Sequence, residues 1–133
     1  ENFSTSLTDV DRRVRRVANN VEYELVPGFF EDSLKSGPKT YGISKAKIIF
    51  IDSDTYSSAR EALIFCSSTI QEGTFIILDD FYSYKGSRKK GVARAFYELI
   101  KQNDLDVRQM FIYGMGGAVF VVSEILKKIP TLK

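Results

Sequence analysis

Ala46-Lys47-Ile48-Ile49-Phe50-Ile51-Asp52-Ser53-Asp54 and, one helix-length further on, Thr74-Phe75-Ile76-Ile77-Leu78-Asp79-Asp80 decide the fold of this chain. Both runs are short, rich in β-branched residues and nearly continuous in hydrophobicity, and both stop at an aspartate. Runs of that kind are expected of strands covered on both faces in a parallel sheet. A parallel pair needs a crossover, and the intervening residues supply one. Ser58-Ala59-Arg60-Glu61 has the form of a capping box, Ala59, Ala62, Leu63 and Cys66 trace one helical face, and Gly73 offers a left-handed stop.

Toward the C-terminus, a polar, aromatic loop from Phe81 to Gly86 leads to Ser87, a candidate cap. Val92, Phe96, Leu99 and Ile100 then recur at helical spacing until about Asn103. Two β-rich runs follow, Val107 to Tyr113 and Ala118 to Ile125, separated only by Gly114-Met115-Gly116-Gly117. So short a link permits a hairpin and no parallel crossover. Because these glycines lead into a strand rather than a helix, they read as a turn and not as a nucleotide loop. Lys127 to Lys133 reads as a tail.

Toward the N-terminus, Val10, Val14 and Val17 mark an amphipathic helix between Leu7 and Asn20. Thr8 and Asp9 are its candidate first-turn acceptors, and Arg12, Arg13, Arg15 and Arg16 form a solvated face. Glu22 to Val26 alternates like a short strand and is broken by Pro27-Gly28; Phe29 to Leu34 starts a short helix, and Ser36 to Thr40 is a loop. The expected fold is one α/β layered domain over residues 1–133 whose last strand is antiparallel.

Composition narrows the function. At 133 residues the chain is the size of one domain, and 44% hydrophobic with 27% charged residues is ordinary for a globular protein. A net charge of +2, from 19 basic and 17 acidic residues, is too small for a partner held by phosphate neutralisation, so no nucleic acid is expected. No apolar run approaches the ~18 residues needed to span a bilayer, nor is there a signal-peptide pattern, so a cytoplasmic protein without membrane contact is expected. The absence of an initiator Met at Glu1 suggests a processed chain or an excised piece. With one cysteine and no histidine, neither a disulfide within the chain nor Ser-His, Cys-His or His-ligated zinc chemistry is available.

In parallel sheets ligands bind beyond the carboxyl ends of the strands. Here Asp52 and Asp54 follow one strand and Asp79 and Asp80 the next. Carboxylates gathered that closely repel one another, and hard oxygen donors without His or Cys point to magnesium, calcium or manganese. The bland alternative is a set of exposed strand-end acids, with Asp54 or Asp80 capping the following helix. Locally, Asp52-Ser53-Asp54-Thr55 is similar to the first motif of haloacid-dehalogenase-like phosphatases, but their Ser/Thr and Lys motifs are missing before Asp79. A two-component receiver domain has its acidic pair first, the reverse of the order here.

Three blocks, Val26-Pro27-Gly28-Phe29-Phe30-Glu31-Asp32-Ser33-Leu34, Ile51-Asp52-Ser53-Asp54-Thr55-Tyr56-Ser57-Ser58 and Glu72-Gly73-Thr74-Phe75-Ile76-Ile77-Leu78-Asp79-Asp80-Phe81, resemble in content and order the macrocin O-methyltransferase family of S-adenosylmethionine-dependent enzymes. Ser33 stands where that family has Thr, Glu72-Gly73 where Gly-Gly is common, and Phe81 where it has Tyr. The resemblance implies a Rossmann-like class I methyltransferase sheet, mostly parallel with an antiparallel C-terminal hairpin strand. It covers about the C-terminal half to two-thirds of that fold, without the first strands. It also implies a magnesium ion on Asp52, Asp79 and Asp80 that holds the oxygens of a sugar or other small acceptor, and Asp54 as general base. Gly28, Phe29 and Phe30 would contact S-adenosylmethionine; neither the glycine-rich cofactor turn nor the ribose-binding acid is present. The other reading is a truncated or vestigial domain that binds metal or a partner without catalysis. A half-sheet would leave one edge open, which homo-oligomerisation or strand exchange would relieve.

Overall fold

The computed structural model describes residues 6–126. Helix α1 spans Leu7–Val17, and Ser6 caps it by accepting the Asp9 amide at 3.2 Å. The cap therefore lies ahead of Thr8 and Asp9. Asn20 is already left-handed, so the helix is shorter than its apolar spacing suggests. No residue of α1 is buried. Its arginines lie on the surface, with Arg12 and Arg15 paired to Asp9 and Asp11 at 3.0 and 2.7 Å.

Glu22 to Val26, expected as a strand, forms none. Alternation in sequence specifies which side chains share a face, but a strand also needs a neighbour to take its amides and carbonyls. No described strand pairs with this segment. Helix α2 then occupies Phe30–Ser33, and a single 3-10 turn spans Pro38–Tyr41.

The remaining elements make one layered unit. Strand β1 (Ile48–Ile51), helix α3 (Tyr56–Ser67), strand β2 (Phe75–Leu78), helix α4 (Gly91–Asn103) and strands β3 (Leu105–Tyr113) and β4 (Gly117–Ile125) follow in order. They build a four-stranded sheet in the order β1-β2-β4-β3. β1 and β2 are parallel, with Ile48 opposite Phe75 and Ile51 opposite Leu78; β4 runs antiparallel to both β2 and β3. The expected mixed α/β sheet with a C-terminal hairpin is present.

Burial alternates along β1 and β2. Ile49, Ile51, Ile76 and Leu78 point into a core completed by Leu63 of α3, Val92, Phe96 and Leu99 of α4, and Phe120 and Val122 of β4. Among the described residues the opposite face is open at β1, with Ile48 65% and Phe50 56% exposed, whereas Ile77 of β2 is half-buried and Val119 of β4 is buried. This corrects the expectation of strands covered on both faces: continuous hydrophobicity shows that both faces are apolar, while only the crossover helices decide which face they close.

Two helix starts also differ from the sequence patterns. α3 begins before Ser58, and its cap is Thr55, whose side chain accepts the Ser58 amide at 3.3 Å. α4 has Lys90 at its cap position with no side-chain bond, while Ser87 accepts the Lys89 amide at 3.3 Å. α3 stops at Ser67, well short of Gly73. Gly73 instead turns the chain into β2, its amide donating to the Val122 carbonyl at 2.8 Å.

Candidate metal centre

The β1–β2 ladder runs one residue beyond the strands, for the Asp79 amide donates to the Ile51 carbonyl at 3.0 Å. Since Ile51 and Leu78 are ladder partners, the next residues, Asp52 and Asp79, emerge together at the carboxyl edge. The alternation that buries Ile51 and Leu78 sends both acids to the other side of the sheet. Asp80 accepts the Ser83 hydroxyl at 2.5 Å. The loop carrying the pair is anchored by Phe81, whose ring lies 4.8–5.9 Å from those of Tyr82, Phe96, Tyr97 and Phe120. One carboxylate oxygen from each of Asp52, Asp79 and Asp80 lies within 4.8 Å of the other two.

Asp54 joins them from the turn before α3. Its pKa is raised, first by a hydrogen bond and repulsion from Asp80, then by partial desolvation and by the charges of Asp52 and Asp79. Tyr84 ties the two acidic turns together: its hydroxyl donates to the Asp54 carbonyl at 3.3 Å, and its ring lies against Gly91, where a Cβ would overlap it.

Four carboxylates with no cation among their side-chain partners in the described residues form an arrangement at odds with itself at neutral pH. The donors are all oxygens, as magnesium, calcium or manganese require. Two buried side-chain polar atoms among the described residues, Ser53 Oγ and Tyr113 Oη, lack a hydrogen-bond partner. Ser53 lies between Asp52 and Asp54, and the Tyr113 phenol stands beside Asp79, its pKa pushed up to about 12 by burial first and then by the Asp79, Asp52 and Asp80 carboxylates. Its position affects its proton affinity but falls outside the geometry of a formed hydrogen bond. Unsatisfied buried hydroxyls are rare, and the place of the Tyr113 hydroxyl beside the carboxylates fits a centre that takes a hard divalent cation.

The structure does not bring the other candidate residues there. Phe29 is 78% exposed and Phe30 40% exposed, so neither ring is core. Phe30 lines an open groove of about 310 Å³ with Glu61, Ile64, Phe65 and Ser67. Those residues run from the middle of α3 to its end, whereas Asp52 and Asp54 precede its first turn, roughly 8–17 Å away along the helix at 1.5 Å per residue. Gly28 precedes this pair with a positive φ of 122°. Arg88 stacks over Tyr97 at 5.1 Å, and Tyr82 donates to Gln109 at 3.0 Å. Ser53 and Tyr113 escaped sequence reading: Ser53 reads as a spacer, and Tyr113 is one aromatic residue at the end of a β-rich run.

A family model described as Macrocin-O-methyltransferase (TylF) matches residues 4–108. No curated protein matches the chain. A solved structure described as that of the O-methyltransferase NovP superimposes with a TM-score of 0.69 at 21% identity, covering 90% of this chain and 46% of that one. The chain thus spans less than half of that structure, and at this identity the likeness concerns the fold. Tyr113 and the hairpin it precedes lie outside the residues matched by the family model.

Proposed function

The chain belongs to the macrocin O-methyltransferase family, and from that premise we propose that it carries the metal- and acceptor-binding part of an enzyme that methylates a hydroxyl of a sugar or other small molecule. The observation that carries this reading is the meeting of Asp52, Asp79 and Asp80 at one strand edge, their carboxylate oxygens within 4.8 Å of one another. When bound, magnesium would supply the Lewis acidity that makes an acceptor hydroxyl easier to deprotonate, and S-adenosylmethionine would supply the methyl group. Asp52, Asp79 and Asp80 are the residues that would hold the cation.

Asp54 stands at the same edge and outside that triad. In a chain with no histidine, its carboxylate is the group suited to take the acceptor's proton. The α3 turn, held by the Thr55 cap and the Tyr84 bond, fixes Asp54 relative to the other acids, and such alignment accounts for much of the rate in transfer reactions. Gly28, Phe29 and Phe30 are proposed to contact the cofactor, and the two exposed rings offer a stacking surface for adenine. The proposed setting is the cytoplasm; no helix among the described residues is long and apolar enough to cross a membrane.

One observation favours a second reading, binding of metal without methyl transfer: Phe29 and Phe30 stand apart from the carboxylates. Titration calorimetry with S-adenosylmethionine and S-adenosylhomocysteine, with and without magnesium, separates the two. The enzyme reading expects cofactor binding that tightens with magnesium and loses that dependence in Asp79→Ala. Magnesium binding with no cofactor binding by the folded chain would replace it with the second reading.

A further inference from the structure

Tyr113 is the last residue of β3 and lies directly opposite Gly117, the first of β4. Its ring covers the place where a side chain at 117 would project, for a Cβ there would overlap the ring at Cζ and both Cε atoms. The register shows which way the ring faces. Phe111 pairs with Val119, which pairs in turn with Ile77. Two residues on, Tyr113, Gly117 and Asp79 therefore share one side of the sheet. The turn before β4 is docked to the acidic loop as well: the Tyr82 amide donates to the Gly116 carbonyl at 2.9 Å, and the site of a Cβ on Gly116 lies 3.9 Å from the Asp79 carbonyl oxygen. A rigid hairpin thus carries a phenol hydroxyl to the edge of the candidate centre, where it is closed off from solvent and has no partner.

We propose that Tyr113 is a positioning residue for the cation site: its hydroxyl donates to one oxygen of the Asp79 carboxylate when the other turns to a divalent cation. The inference rests on the metal reading given above. A carboxylate with one oxygen tied to a neutral donor keeps its charge, loses rotational freedom and presents a single oxygen to the ion. Outer contacts of this kind tune affinity by 10–100-fold. A phenol suits this position because the space over Gly117 admits a ring, and because it adds no further charge beside four carboxylates.

The test is titration of the whole chain with Mn²⁺ and with Mg²⁺, followed by calorimetry and, for Mn²⁺, by the free-ion electron paramagnetic resonance signal. Tyr113→Phe keeps the ring and removes only the hydroxyl; the expected result is about a tenfold weaker ion affinity with unchanged circular dichroism and thermal midpoint. Wild-type chain should also show a tyrosine ultraviolet difference spectrum on ion addition that Tyr113→Phe lacks, a signature that packing alone would not give. Gly117→Ala, which displaces the ring, should weaken binding similarly if it folds. Wild-type affinity in Tyr113→Phe, with ion binding still abolished by Asp79→Ala, would overturn the role of Tyr113 and leave the metal site standing. Failure of the wild-type chain to bind either ion would overturn both.

Discussion

Phe81 links the core to the acidic edge, and its truncation gives the sharpest test of how the centre is held. The residue follows Asp79-Asp80 directly, is almost fully buried, and its ring meets those of Tyr82, Phe96, Tyr97 and Phe120. Phe81→Ala removes the transfer free energy of a buried aromatic side chain, about 2.5 kcal/mol. The residual cavity and the lost ring-edge contacts add about 1–1.5 kcal/mol, for a total near 4 kcal/mol. With a urea m-value of about 1.5 kcal/mol/M for a chain of this size, the midpoint should fall by roughly 2.5 M. That is a large share of the 5–15 kcal/mol typical of a domain. Chemical denaturation followed by circular dichroism measures it, and ion titration of the variant while still folded should show weaker binding, because the pair Asp79-Asp80 has lost its anchor. A midpoint shift under about 0.7 M would mean that the ring cluster is not what fixes this loop, and the account of the centre's rigidity would have to be abandoned.

Cation-free protein should become less stable as pH rises above the ordinary carboxylate value. The raised pKa of Asp54 means that the folded state binds the proton more tightly than the unfolded one, so the stabilisation present at low pH is lost as pH climbs through the folded-state pKa. Thermal midpoints measured against pH should show this slope in the wild-type chain and a weaker one in Asp54→Asn; equal slopes would refute it. Burial raises the Cys66 thiol to about 11, so labelling by a disulfide reagent at pH 8 should run far slower than for a free thiol and accelerate in denaturant. Gly91 has a positive φ of 55° and would place a Cβ into the Tyr84 ring. Gly91→Ala should therefore cost about 1–2 kcal/mol in a denaturation midpoint, and an unchanged midpoint would show that Tyr84 moves away freely.

How much of this was legible from sequence differs from element to element. β1, β2 and the helices between and after them were readable because their signals are local: β-branched runs ending at Asp52 and Asp79, and the 3.6-residue spacing of Ala59, Ala62 and Leu63 or of Val92, Phe96 and Leu99. The helix starts were less legible. Thr55 and Ser58 both carry hydroxyls, and which one caps depends on where the chain leaves β1. The triad Asp52, Asp79 and Asp80 was legible because parallel strands joined by one crossover bring their ends together. Tyr113 was not, for nothing local marks an aromatic side chain whose ring packs over a glycine across a hairpin and whose buried hydroxyl has no partner.

Local chemistry in the sequence thus determined the elements, the order of the strands' acids and the hardness of any ion they would accept, since these depend on residue type and on spacing within single elements. Tertiary structure alone decided that Glu22–Val26 has no strand partner among the described residues, that the outer face of β1 is open there, that Phe29 and Phe30 stand away from the carboxylates and that the Tyr113 ring lies over Gly117 on the side of the sheet that carries Asp79. Each of these depends on contacts between residues far apart in the chain, which periodicity cannot encode because it specifies a face without naming what covers it.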